Sequence, residues 1–122
     1  MKFVIHHHLT VPDHYDLMIE KGDALLTWRI LSREFTKFLR GLPVHAERIR
    51  DHRKDYLDYE GPVSCDRGRI EVYDSGEYAG DASDSVIFLP INGTILKGTL
   101  SIKEIRENTC MAQITLIQGR DQ

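Results

Sequence analysis

Apolar and polar residues alternate with a period of two along most of the chain, and that period predicts strands. It runs over residues 3–9, 14–20 and 24–30. The turn Lys21-Gly22-Asp23 predicts that the last two form a hairpin. Residues 44–50 alternate again, with Val44, Ala46, Arg48 and Arg50 on one face and His45, Glu47 and Ile49 on the other. Further strands are expected at 69–73, 85–91, 94–102 and 109–118, with turns at Asp74-Ser75-Gly76, Asn92-Gly93 and Glu107-Asn108. Asn92-Gly93 between two alternating runs is a strong hairpin signal. Residues 51–66 read as a long connection.

The period changes once. Leu31, Phe35, Phe38, Leu39 and Leu42 recur at helical spacing, which predicts a helix over 33–40. Ser32 is the expected N-cap, and Gly41 and Pro43 stop the helix. So short a helix needs a sheet to pack on. The fold class is therefore mainly β, a small β-barrel with one short flanking helix, in a single domain over 1–122. Closure removes the sheet edges and offers a barrel mouth for a site. Period alone does not separate barrel from sandwich.

Composition narrows the function. A net charge of −3 excludes a strongly basic protein that coats nucleic acid. The charge is unevenly spread: residues 29–54 hold eight bases against three acids, whereas 71–84 hold five acids and no base. No apolar run approaches the ~20 residues of a membrane span. The start shows no leader-like apolar stretch, so the expectation is a soluble cytoplasmic domain with no membrane partner. Cys65 and Cys110 make no disulfide framework; a loop thiol and a packing residue are expected.

Four of the six histidines fall within the first fourteen residues. On a strand, His14 and Asp16 project from one face, and so do His6 and His8, with His7 opposite. If the first two strands lie side by side, His8 approaches His14 and Asp16. Two imidazoles and a carboxylate suit Mn²⁺, Fe²⁺ or Zn²⁺ with open positions, as catalysis requires. The same donor set serves mononuclear iron oxygenases. A second cluster holds His52 and Tyr56, which can bind phosphate or move protons.

Together these residues resemble the 3′-phosphoesterase domain of the bacterial ligase D end-joining proteins. The shared pattern is His8, then His14-Tyr15-Asp16, ending at Glu20; then Asp51-His52, Asp55-Tyr56 and Asp58-Tyr59-Glu60-Gly61. Trp28, Tyr73-Asp74-x-Gly76, Gly93, Leu96 and Gly98 agree more weakly. The resemblance implies a β-barrel with a crescent-shaped groove and a Mn²⁺-dependent phosphoesterase, with Zn²⁺ or another divalent transition metal as alternatives. Such enzymes trim a 3′-terminal ribonucleoside or 3′-phosphate from a nucleic-acid end in DNA repair, leaving a 3′-hydroxyl for a ligase or polymerase partner. It assigns His8, His14 and Asp16 to the metal, and His52 and Tyr56 to catalysis at the scissile phosphate. His6, Tyr15 and Glu20 are expected behind the ligands.

The sequence departs from the family at several positions. Met18 stands where the family has a phosphate-clamping arginine, Arg50 replaces an acid, His6 a glutamine, and Val44 an arginine. A thioether gives no bidentate grip on phosphate. The expected substitutes for phosphate binding are Arg50 and then Arg29, with Arg48 also considered. The alternative is a catalytically degenerate protein that binds phosphate or nucleic-acid ends.

Overall fold

The computed structural model describes residues 1–83 and 86–117. The strands among them are β1 (Lys2–Leu9), β2 (His14–Lys21), β3 (Ala24–Leu31), β4 (Val44–Arg53), β5 (Gly61–Pro62), β6 (Arg69–Tyr78), β7 (Val86–Gly93), β8 (Lys97–Arg106) and β9 (Thr109–Leu116). The sheet order β1-β2-β3-β4-β9-β8-β7-β6 returns through a β1–β6 pairing, so eight strands close a barrel, and β5 pairs outside it with β6. The expected mainly-β barrel with one helix is what forms. Residues 85 and 118, expected as strand ends, lie outside the described residues.

The barrel follows from alternation. Phe3, Ile5, Leu17, Ile19, Trp28, Ile87, Leu100 and Ile114 point inward and share one buried cluster. The α-helix α1 (Ser32–Leu39) adds Phe35 and Phe38 to that cluster and packs against β2, β3, β4 and β9. Two details of the helix differ from expectation. Ser32 is its first residue, Leu31 is the cap, and no side chain caps it. Leu42 is 44% exposed because the helix ends at Leu39 and Gly41 (φ 83°) turns the chain away.

Other differences come from β6 and the hairpins. Asp74-Ser75-Gly76 is strand, not turn, because β6 runs on to Tyr78 and pairs with both β1 and β7. The β7–β8 hairpin exists, but Asn92 pairs with Lys97 and the chain reverses at Thr94–Leu96. The Asp74 carboxylate fixes that reversal. Its oxygens accept hydrogen bonds from the backbone N–H groups of Ser75, Ile95 and Leu96 at 2.8–3.0 Å. A Cβ on residue 93 would overlap Asp74 Oδ2, so only glycine fits there.

Residues 51–66 are not a bare connection. β4 continues to Arg53, a 3₁₀ turn follows at Lys54–Leu57, and β5 pairs with the start of β6. Tyr56 and Leu57 from the turn, together with Val72, pack on Val4, Met18 and Leu25. These residues alternate with the interior set, so this second apolar cluster lies on the outer face of the wall.

Candidate metal centre and groove

β1 and β2 pair antiparallel with His8 opposite His14 and His6 opposite Asp16. Opposite residues on one face stand close enough for their side chains to meet. The ligand atoms of His8, His14 and Asp16 all lie within 4.8 Å of one another. They alternate with interior Leu17 and Ile5, so the cluster sits on the outer face of the wall and not in the barrel mouth.

The hydrogen bonds show which nitrogen of each histidine faces inward. His14 Nδ1 is 2.9 Å from the Pro12 carbonyl, and His8 Nε2 is 2.6 Å from the Arg67 carbonyl. A carbonyl only accepts, so both of these outer nitrogens carry the proton. The inner nitrogens, His8 Nδ1 and His14 Nε2, then present lone pairs to each other across 3.1 Å. Asp16 Oδ2 adds a negative oxygen 3.6 Å from His14 Nε2. Three converging acceptors repel unless a cation lies among them, so this donor set fits a divalent transition ion with positions left open.

Asp16 is buried, which pushes its carboxyl pKa up; a proton taken up by His14 Nε2 supplies a hydrogen bond and a charge that, with the charge of Arg29, outweigh burial and hold it below the ordinary carboxylate value. Arg29 Nε lies 3.4 Å from Asp16 Oδ1. His6 is fully buried beside these groups, and among the described residues the Tyr56 backbone is the one group near enough to engage its ring, without a well-formed hydrogen bond. Burial lowers its pKa. A neutral imidazole with an unused polar atom at this place suits an oxygen-bearing occupant of the centre.

His52 reaches the same face through an irregularity. Thr27 pairs with Ile49, but Leu25 pairs with His52, so β4 carries one extra residue there. Strict alternation would have kept His52 with Val44 and Ala46, which face the interior. The bulge rotates it outward to Thr27, whose Oγ1 is 3.1 Å from His52 Nδ1. That nitrogen is also 3.1 Å from the Arg50 carbonyl, which assigns it the proton and leaves Nε2 for a ligand. Tyr56, on the 3₁₀ turn, meets His52 and His6 edge to face, at ring separations of 5.7 and 6.3 Å.

A groove of about 390 Å³ joins the two clusters and is lined by His8, Asp16, Met18, Arg29, Arg50, His52 and Tyr56, among others. Of the expected substitutes for the missing clamp, Arg29 and Arg50 border it. Arg48 does not: it lies over the Trp28 ring and bonds Asp51 at 2.8 Å. Met18 is 1% exposed and belongs to the outer apolar cluster. Tyr15 projects from the other face of β2, stacked between His7 and Phe35 at 4.3 and 3.8 Å, and so supports the wall and not the ligands. Glu20 bonds Lys2 N and Lys54 Nζ, and ties the chain start to the 3₁₀ turn without reaching the ligands.

Sequence reasoning missed Thr27, Arg53 and Arg67, and the carbonyl partners of the ligands. Thr27 carried a weak signal, a hydroxyl on the same face of β3 as Arg29. Arg53 and Arg67 lay in or beside an apparent loop. Arg67 arrives because residues 63–68 fold back on the end of β1. Gly68 (φ 83°) makes that possible, since a Cβ there would overlap the Leu9 carbonyl oxygen.

A model of the DNA ligase D 3′-phosphoesterase domain family matches residues 5–114. The chain belongs to this family. It is similar to the multifunctional non-homologous end joining protein LigD of Mycobacterium bovis and to the end joining DNA repair protein LigD of Mycobacterium tuberculosis, 29% identical to each over 80 residues. That alignment covers 62% of this chain but only 10% of each relative. Within the family match lie all three candidate ligands, His52 and Tyr56. Among the described residues no helix is long and apolar enough to cross a membrane.

Proposed function

We propose that this chain is a metal-dependent phosphoesterase that trims 3′-phosphates or 3′-terminal ribonucleotides from nucleic-acid ends, leaving a 3′-hydroxyl for a ligase or polymerase during end joining. The observation that carries the reading is the inward aim of His8 Nδ1, His14 Nε2 and the Asp16 carboxylate beside His52. Mn²⁺ is the favoured ion and Zn²⁺ the alternative. A divalent ion at these ligands supplies Lewis acidity toward a phosphate oxygen and lowers the pKa of bound water.

The protein's own groups do the rest. His52, its Nδ1–H held on the Arg50 carbonyl, acts in its doubly protonated form: Nε2–H hydrogen-bonds the phosphate and passes that proton to the leaving oxygen, which leaves the ring neutral. Tyr56 adds a phenol donor at the same wall. Arg29 and Arg50 bring positive charge to the groove, in place of the clamp that Met18 does not provide. The partly basic stretch from 29 to 54 thus serves the groove through these two residues and Arg53, while Arg48 is turned toward Trp28.

The test is incubation of the Mn²⁺-loaded protein with a duplex carrying a 3′-phosphate or a 3′-terminal ribonucleotide. Release of phosphate or nucleoside and a new 3′-hydroxyl are expected, and Asp16→Asn should abolish both. Absence of product at stoichiometric protein would sink the reading. The burial of Met18 in an apolar cluster favours one rival, a protein that binds ends without turnover. Binding alone in the parent, with hydrolysis appearing in Met18→Arg, would establish that rival.

A further inference from the structure

The groove does not end at the metal ligands. A second hollow, about 400 Å³, continues from it over the 3₁₀ turn and the 63–68 loop. Arg53, Tyr56, Val63 and Arg67 line both hollows, so these residues form the threshold between them. Both arginines are exposed. The Arg53 guanidinium carbon stands 6.0 Å from the Tyr56 ring centre. Arg67 is pinned by Ser64, with Nε on its carbonyl at 2.9 Å and a terminal nitrogen on its Oγ at 3.0 Å. Its own carbonyl holds His8. Beyond the threshold the wall is Tyr59, Pro62 and Val63, and Asp55 is the one carboxylate lining that hollow among the described residues.

We propose that this second hollow is a subsite for the nucleotide next to the reacting one, with Arg53 and Arg67 taking its phosphodiester and the Tyr59–Val63 wall taking its sugar and base. The inference rests on the phosphoesterase reading and adds to it the residues that recognise the neighbouring phosphodiester, Arg53 and Arg67. Two guanidiniums on a rim suit a phosphodiester, which offers two charged oxygens to planar donors. An aromatic and apolar wall beside them accepts a nucleoside of any sequence. Arg67 links the subsites physically, since its main chain orients a metal ligand while its side chain faces the adjoining phosphate.

The experiment compares thymidine 3′-phosphate with a dithymidylate carrying the same 3′-phosphate. Binding is measured by calorimetry without added metal, and turnover is followed separately with Mn²⁺. The dinucleotide should bind the parent about tenfold more tightly, as expected for new charge-assisted hydrogen bonds to one phosphate. In Arg53→Ala/Arg67→Ala that advantage should vanish, while the mononucleotide binds within about twofold of the parent. The parent should also show the steeper salt dependence for the dinucleotide. Equal binding of the two ligands by the parent, or equal losses for both in the variant, would overturn the subsite. If the double variant does not fold, the single variants Arg53→Gln and Arg67→Lys are read the same way. An intact tenfold preference with no turnover of either ligand would instead remove the phosphoesterase reading and leave the subsite standing.

Discussion

Asp16 and Asp74 are both buried carboxylates on strands that pair with β1, at 4% and 3% exposure, yet they behave differently. Asp74 faces inward and is saturated: three backbone N–H groups bond it at 3.0 Å or less. Asp16 faces outward, and its nearest nitrogen neighbours, on Arg29 and His14, stand off at 3.4 and 3.6 Å. A saturated buried carboxylate has no capacity left for a ligand, so it acts as a staple. One whose contacts are long and whose neighbours are lone pairs keeps its capacity for something that binds. Satisfaction, more than burial, separates the structural region from the reactive one.

The sharpest way to test this contrast is to neutralise each carboxylate. Asp16→Asn should lower turnover by about 10³-fold or more while the melting temperature stays within about 5 °C of the parent. Asp74→Ala should do the reverse. Leaving three backbone donors without an acceptor should cost about 3–5 kcal/mol in urea unfolding, with turnover per folded molecule largely retained. A collapse of stability in the first variant, or of turnover in the second, would break the distinction.

Smaller effects refine it. His52→Ala should reduce turnover by about 10²-fold without weakening Mn²⁺ binding in a calorimetric titration, because His52 is not among the ligands. The least effect is expected at Glu20. Hydrogen bonds from Lys54 and from the Lys2 backbone hold its carboxyl below the ordinary value of 4.5. A carboxylate with a depressed folded-state pKa stabilises above its unfolded pKa, and that contribution fades as pH falls through the lower folded value. Glu20→Gln should therefore cost about 0.5 kcal/mol at pH 7 and flatten the stability curve below pH 4.5. The measurement is urea unfolding across pH 3–7.

The sequence was most legible where alternation is unbroken. His8, His14 and Asp16 fall on β1 and β2, whose pairing has no bulge, so period two was enough to place them on one face. His52 was different. It fell in what read as a long connection over 51–66, and only the continuation of β4 with its extra residue places it at the groove. A bulge is a property of pairing between strands, so no local pattern announces it. β6 repeats the lesson, since register shifts between Asp74 and Val72 opposite β1. Asp74-Ser75-Gly76 has turn composition, but there Gly76 lets strands approach and Asp74 binds a distant reversal. Arg67 was hidden for a related reason: its approach to His8 depends on Gly68 and on the β5–β6 pairing that folds residues 63–68 back.

The two imidazoles are aimed by main-chain oxygens, those of Pro12 and Arg67, and not by neighbouring side chains. Their orientation is therefore indifferent to which amino acids occupy those positions. Position 67 can change its side chain, and with it the company the groove keeps, while the ligand beside it stays in place. A lineage carrying this domain is free to explore new substrates at that loop without first dismantling the centre on which any reaction depends.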